Sequence, residues 1–305
     1  LPGGNRYGPL DALRFAYERL RLVLRIAGFD AAYHPFDWRR DLAWNGRELA
    51  ERLLRERRKD VILVGHSMGG LVARGALAHK GAERIARVIQ LGTPNRGAFV
   101  AVQALRGTYP LIRRLALLDL KHDAEELAHK LLTTLPGLCG LLPPASACKD
   151  FNPFDAAHWP EGPKPTAALL TTAHDQAEVL PPPDERFALI AGYGQDTVIG
   201  LRRRNRRFEF GRGPAGDGTV PLALAHWPGL PNWYVEESHG SLPGNMDVGR
   251  AVIDLARGET THALPPVTSW HSMPWRRRRP PLPLPSPCRS TSSTTTMISW
   301  SSASR

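Results

Sequence analysis

The pentapeptide Gly65-His66-Ser67-Met68-Gly69 stands directly behind the apolar run Val61-Ile62-Leu63-Val64, and no other stretch limits the possible fold as strongly. The β-branched run predicts a buried strand, and Leu71-Val72-Ala73-Arg74-Gly75-Ala76-Leu77-Ala78 has helical composition, so Ser67 falls on a strand-to-helix turn. Glycine at both flanking positions implies a turn too tight for a Cβ on either side, with the serine hydroxyl projecting from the C-terminal edge of a sheet. Ser67 is therefore a candidate nucleophile. With 28 glycines in 305 residues the bare pattern carries modest weight, and the strand, turn and helix order carries the rest.

A serine hydroxyl is a poor nucleophile alone; it needs a histidine base and an acid that orients the histidine, both expected later in the chain. Asp217 in Gly216-Asp217-Gly218-Thr219-Val220-Pro221 is the candidate acid. Asp196, behind the apolar run Phe187-Ala188-Leu189-Ile190-Ala191, is an alternative on topology. Among eleven histidines, His239 combines a preceding strand-like segment, Trp233-Tyr234-Val235-Glu236, with a flanking glycine and a position beyond the acid. His226 is its runner-up but lies in a segment better explained by helical packing. His66 is expected to pack beneath the turn rather than act as base. Met68 supplies the first main-chain N–H of an oxyanion site.

Four blocks together resemble the lecithin:cholesterol acyltransferase family of α/β-hydrolases: His34-Pro35-Phe36-Asp37-Trp38-Arg39, the Gly65–Gly70 turn, Leu91-Gly92-Thr93-Pro94-Asn95-Arg96-Gly97 and the Gly216–Pro221 block. The resemblance spans roughly residues 11 to 260. It implies an α/β-hydrolase fold, a mostly parallel sheet flanked by helices with a helical cap insertion, and Asp217 as triad acid in preference to Asp196. In that family a strand and a Pro-Gly loop precede the region matching Leu10 onward. Leu1-Pro2-Gly3-Gly4 is either the end of that loop or a chance likeness, and we expect a fragment truncated on its N-terminal side, with the second oxyanion donor upstream.

The alternation of elements points the same way. A helix is expected from Asp11 to about Ala27, a strand near Phe29 to Phe36, a helix near Gly46 to Arg58, and a strand at Val88 to Leu91, which together suggest a parallel sheet covered on both faces. Residues 1–264 read as one catalytic domain. The cap insertion is expected at about 93–186, because so long a connection must form its own substructure. Its leucine-rich parts, Tyr109–Leu118 and Leu131–Leu138, suggest helices whose apolar faces either line an acyl pocket or pack on the sheet. Residues 265–305, with Arg276–Arg279 and a proline and then serine/threonine run, read as a disordered tail or linker, or as the product of a frame error.

The net charge of +11 narrows the partners only after dissection: six arginines and no acid lie in residues 266–305, leaving +5 for the rest. Arg202-Arg203-Arg204-Asn205-Arg206-Arg207 reads as a solvated loop with an option to touch anionic lipid, and nucleic acid is disfavoured because no module accompanies the charge. Cys139, Cys148 and Cys288 are too few for a disulfide framework, although Cys139 and Cys148 would suit one pair in an exported protein. A reducing, cytoplasmic setting is expected, which a signal lost upstream would change. No cofactor or metal is expected. The expected activity is serine acyl hydrolysis or O-acyl transfer on a lipid or other hydrophobic ester; a peptidase would use the same triad. The opposing view is a non-catalytic α/β-hydrolase-like binding or regulatory module of a larger protein.

Overall fold

The computed structural model describes residues 14–56, 59–110, 112 and 123–265. Its strands are β1 (Val61–His66), β2 (Ile85–Leu91), β3 (Cys148–Lys149), β4 (Phe187–Gly192), β5 (Thr197–Arg204), β6 (Arg207–Gly213) and β7 (Asn232–Val235). The helices are α1 (Arg14–Ile26), α2 (Leu42–Arg55), α3 (Met68–Ala76), α4 (Phe99–Leu105), α5 (Ala124–Lys130), α6 (Pro136–Cys139), α7 (Ala167–Val179), α8 (Leu222–Ala225) and α9 (Met246–Arg257). The main sheet runs β1-β2-β4-β7 and every pair in it is parallel.

Strand alternation divides the core between the two faces. Val88 of β2 with Phe187 and Leu189 of β4 meet Leu49 and Leu53 of α2 and Leu71 and Val72 of α3. Ile89, Leu91, Ile190 and Trp233 point the other way, onto Leu20 and Leu24 of α1 and Val248, Val252 and Leu255 of α9. A parallel sheet covered on both faces needs apolar residues at consecutive positions, which β2 and β4 supply. Helices α2 and α3 cross with their backbones in contact: a Cβ on Gly46 would stand 2.4 Å from the Gly75 carbonyl carbon.

Part of the segment between β2 and β4 builds a hydrophobic core of its own together with β5. Phe99, Val102 and Leu105 of α4, Cys139, Leu142, Phe151, Trp159 and Leu170 cluster with Val198 and Leu201 of β5. The β5–β6 hairpin, outside the expected cap limits, thus belongs with it, and β3 joins it to make a second sheet in the order β3-β5-β6.

Several expectations need correction. Residues 29–36 are extended but pair with no strand among the described residues; Phe29 N–H bonds back to Leu24 O and Ala31 N–H to Phe29 O, so the segment trails from α1. Helix α2 begins four residues before Gly46 because Asp41 caps it, its Oδ1 accepting from Trp44 N–H at 2.7 Å. Leu131–Leu138 is a 3-10 turn at Leu132–Thr134 followed by α6, since Pro136 lacks the N–H a continuous helix would need. Leu132 and Leu135 are buried with Ala128, which makes them packing residues. The arginine run is the end of an antiparallel hairpin that turns at Asn205 and Arg206, both at positive φ, with Arg202 ion-paired to Glu209 across the strands. Cys139 and Cys148 are free thiols, both pushed up to about 12 by burial. Most of Tyr109–Leu118, the opening Leu1–Gly4 and the stretch read as a tail lie outside the described residues.

Candidate active site

Ser67 follows β1 and caps α3 at φ 54°, ψ −128°, a conformation that costs a non-glycine residue about 1–3 kcal/mol and lifts its side chain off the sheet edge. Ser67 N–H donates to Leu91 O at 2.9 Å, tying the turn to the end of the neighbouring strand. The crowding falls where the sequence pattern put it at Gly65 but not at Gly69. A Cβ on Gly65 would lie 2.7 Å from Gly70 Cα, and one on Gly70 would lie 2.0 Å from Thr93 Oγ1. At Gly69 the nearest atom would be a Phe36 ring carbon at 3.8 Å. The second tight glycine is therefore Gly70, because α3 packs against the loop after β2 through that residue.

Deeper contacts lock the turn to that loop. Gln90 Nε2 donates to Gly70 O, Asn95 Nδ2 donates to Gln90 Oε1 and to Ala225 O, and the buried Arg74 guanidinium donates to Asn95 O and Pro181 O. Burial pushes Arg74 down to about 10, and the carbonyl oxygens around it supply acceptors in place of a carboxylate.

Asp217 is 2% exposed, in a turn closed by the Gly216–Pro221 bridge. Its Oδ1 accepts from Thr219 N–H at 2.9 Å and Val220 N–H at 2.7 Å, which fixes the carboxylate plane and leaves Oδ2 for another donor. That donor is His239: Nδ1–H lies 2.7 Å from Oδ2, while Nε2 lies 2.9 Å from Ser67 Oγ. With Nδ1 carrying its proton toward the carboxylate, Nε2 is the acceptor for the serine hydroxyl. The fold thus brings Ser67, Asp217 and His239 into one hydrogen-bonded chain. Met68, the first residue of α3, offers a main-chain N–H that the helix does not use.

Asp196 stands apart, its side chain 70% exposed and paired with Arg212 at 2.9 Å. His226 shares a 2.9 Å hydrogen bond with the Tyr234 hydroxyl and is not part of the chain. Two contributors escaped the sequence pattern. Thr197, fully buried, accepts from Gly218 N–H at 2.8 Å and donates to Gln195 O at 2.8 Å, bracing the acid turn. His66, expected only to pack, makes polar contacts to Tyr17 and to the His239 carbonyl. A cavity of about 230 Å³ between Val100, Gln103, Tyr109, Val198, Arg212 and Gly218 adjoins the acid turn. Among the described residues no group of three His, Cys, Asp or Glu side chains stands where it would hold a metal ion. No helix among them is long and apolar enough to cross a membrane.

Comparison with known proteins bears on the fold. Residues 47–137 match the family described as the PGAP1-like alpha/beta domain, a stretch holding the C-terminal part of α2, the Ser67 turn and β2. A chain in the crystal structure of the Tle4-Tli4 complex superposes with a TM-score of 0.52 at 16% identity, over 73% of this chain and 68% of that one. This is an α/β-hydrolase fold. The Bacillus licheniformis lipase BlEst2 in mature form is 19% identical, with a TM-score of 0.47, over 77% of this chain and 82% of that one. At such identities the likeness is one of fold. No curated protein sequence matches the chain.

Proposed function

We propose that this α/β-hydrolase domain is a serine acyl hydrolase acting on hydrophobic esters, with Ser67 as nucleophile, His239 as general base and Asp217 as the acid that orients it. The observation that carries this is the continuous chain from Ser67 Oγ to His239 Nε2 at 2.9 Å and from His239 Nδ1 to Asp217 Oδ2 at 2.7 Å, assembled on a strained turn. His239 takes the hydroxyl proton as Oγ attacks the acyl carbonyl, and Met68 N–H helps hold the oxyanion that forms. The resulting imidazolium gives its proton to the leaving alkoxide. The acyl-Ser67 ester then passes to water, with His239 again as base.

The four sequence blocks that resemble the lecithin:cholesterol acyltransferase family favour a lipid ester as donor and an alcohol as an alternative acceptor. The cavity beside Gly218 has an apolar side at Val100 and Val198 and a polar one at Gln103 and Arg212. We take the described sheet and its cap as a single catalytic unit. The test is a fluorophosphonate probe on the purified chain, with the labelled peptide mapped by mass spectrometry. Labelling at Ser67 that vanishes in Ser67→Ala is expected; folded protein left unlabelled at Ser67 would refute the assignment.

A further inference from the structure

We infer that Tyr17 and His66 are positioning residues that hold the main chain of His239, and through it the imidazole, against Ser67. This rests on the proposed triad but on different contacts. His239 is anchored on both sides of its Cα: its N–H donates to Asp217 O at 2.8 Å, and its carbonyl lies 2.9 Å from His66 Nε2. A carbonyl only accepts, so Nε2 carries the His66 proton and Nδ1 is left as an acceptor. Tyr17 O–H fills it at 2.9 Å, which ties the relay to α1. The two imidazoles sit 4.7 Å apart between centroids.

A neutral His66 makes both bonds in these directions. Burial, with the His239 ring adding to it, pushes this imidazole down to about 4. A neutral His66 also keeps a second cation away while His239 becomes an imidazolium. Without the relay, the His239–Gly244 turn keeps the Asp217 bond and its own short-range bonds from Ser241 and Leu242 N–H to Ser238 O. The ring would then pivot about its Nδ1 contact, and a shift of about 1 Å at Nε2 is enough to cost two orders of magnitude in rate.

The test compares His66→Leu, His66→Gln and Tyr17→Phe in the full chain. The glutamine amide restores a donor toward the His239 carbonyl, and the leucine side chain fills the space without one. With a soluble p-nitrophenyl ester, His66→Leu should lose about 30- to 100-fold in kcat with KM within about twofold, and His66→Gln should recover to within about fivefold. Tyr17→Phe should fall between them. By hydrogen exchange, peptides across 236–245 should exchange faster in His66→Leu while peptides across β2 stay protected. Wild-type kcat and unchanged protection of 236–245 in folded His66→Leu would overturn the relay. If the wild type neither turns over esters nor takes the probe, the hydrolase assignment falls, and the exchange comparison still decides whether His66 positions His239.

Discussion

Replacing Asp217 by asparagine separates the orientation of His239 from the integrity of the fold. Thr219 and Val220 N–H both point at Oδ1, at 2.9 and 2.7 Å, so the asparagine carbonyl must take that place. Its NH₂ then faces His239 Nδ1 across the 2.7 Å gap where a carboxylate oxygen stood. Nδ1 must become the acceptor, the proton moves to Nε2, and Ser67 meets an N–H where it needs a lone pair. In a serine protease the equivalent change lowers kcat about 10⁴-fold, a value measured on another protein. At about 1.4 kcal/mol per decade the same loss here is about 5.5 kcal/mol of transition-state stabilisation. The folded state loses only the charge from two retained hydrogen bonds, about 1–2 kcal/mol. The assay is the second-order rate of fluorophosphonate labelling at Ser67, with thermal unfolding beside it. A folded Asp217→Asn protein that labels within tenfold of wild type would refute the orienting role. Asp196→Ala should label at the wild-type rate, because its partner is Arg212 at the surface.

Gly69→Ala should leave the melting temperature unchanged or slightly raised, whereas Gly70→Ala, driven into Thr93, should destabilise by about 1–3 kcal/mol; equal effects in thermal unfolding would contradict the crowding described above. Thr197→Val, nearly isosteric, leaves Gly218 N–H and Gln195 O without their partner and should cost about 1–3 kcal/mol and slow labelling at Ser67. His66 and His34 are both held at about 4, mainly by burial, against an ordinary 6.5. The unfolded chain therefore binds protons first as pH falls, so stability is full above about 6.5 and declines toward 4, by about 3 kcal/mol for His66. Urea midpoints between pH 7 and 4 should fall for the wild type and fall less for His66→Gln, and parallel profiles would show that His66 does not titrate this way.

Much of the site was legible in local pattern. An apolar run, a glycine-flanked serine and a helical segment specify the Ser67 turn within a dozen residues, because strand burial and turn geometry are set by near neighbours. Asp217 and His239 were visible as polar residues in glycine-bearing loops behind apolar segments. Helix α2 was legible as a helix, but its start depended on Asp41 as cap, and Gly46 proved to be a helix contact rather than a boundary. The strand expected at residues 29–36 had the right composition and no partner among the described residues to pair with, and pairing is a property of two segments.

By itself, then, the sequence determined the local pattern: which serine sits on the strand-to-helix turn, which residues can form strands, and which glycine-bearing loops hold Asp217 and His239. Only the tertiary structure decided which of these meet. Ser67 and His239 are 172 residues apart, as His66 and the His239 carbonyl are 173 apart, and both contacts exist because all four strands of the parallel sheet end on one edge, where the loop after β7 reaches across to the end of β1. The same arrangement left Asp196 in solvent and made His66 a hydrogen-bonding residue. Periodicity reports what each segment buries, whereas hydrogen-bond partners depend on which loops meet at the edge where the parallel strands end.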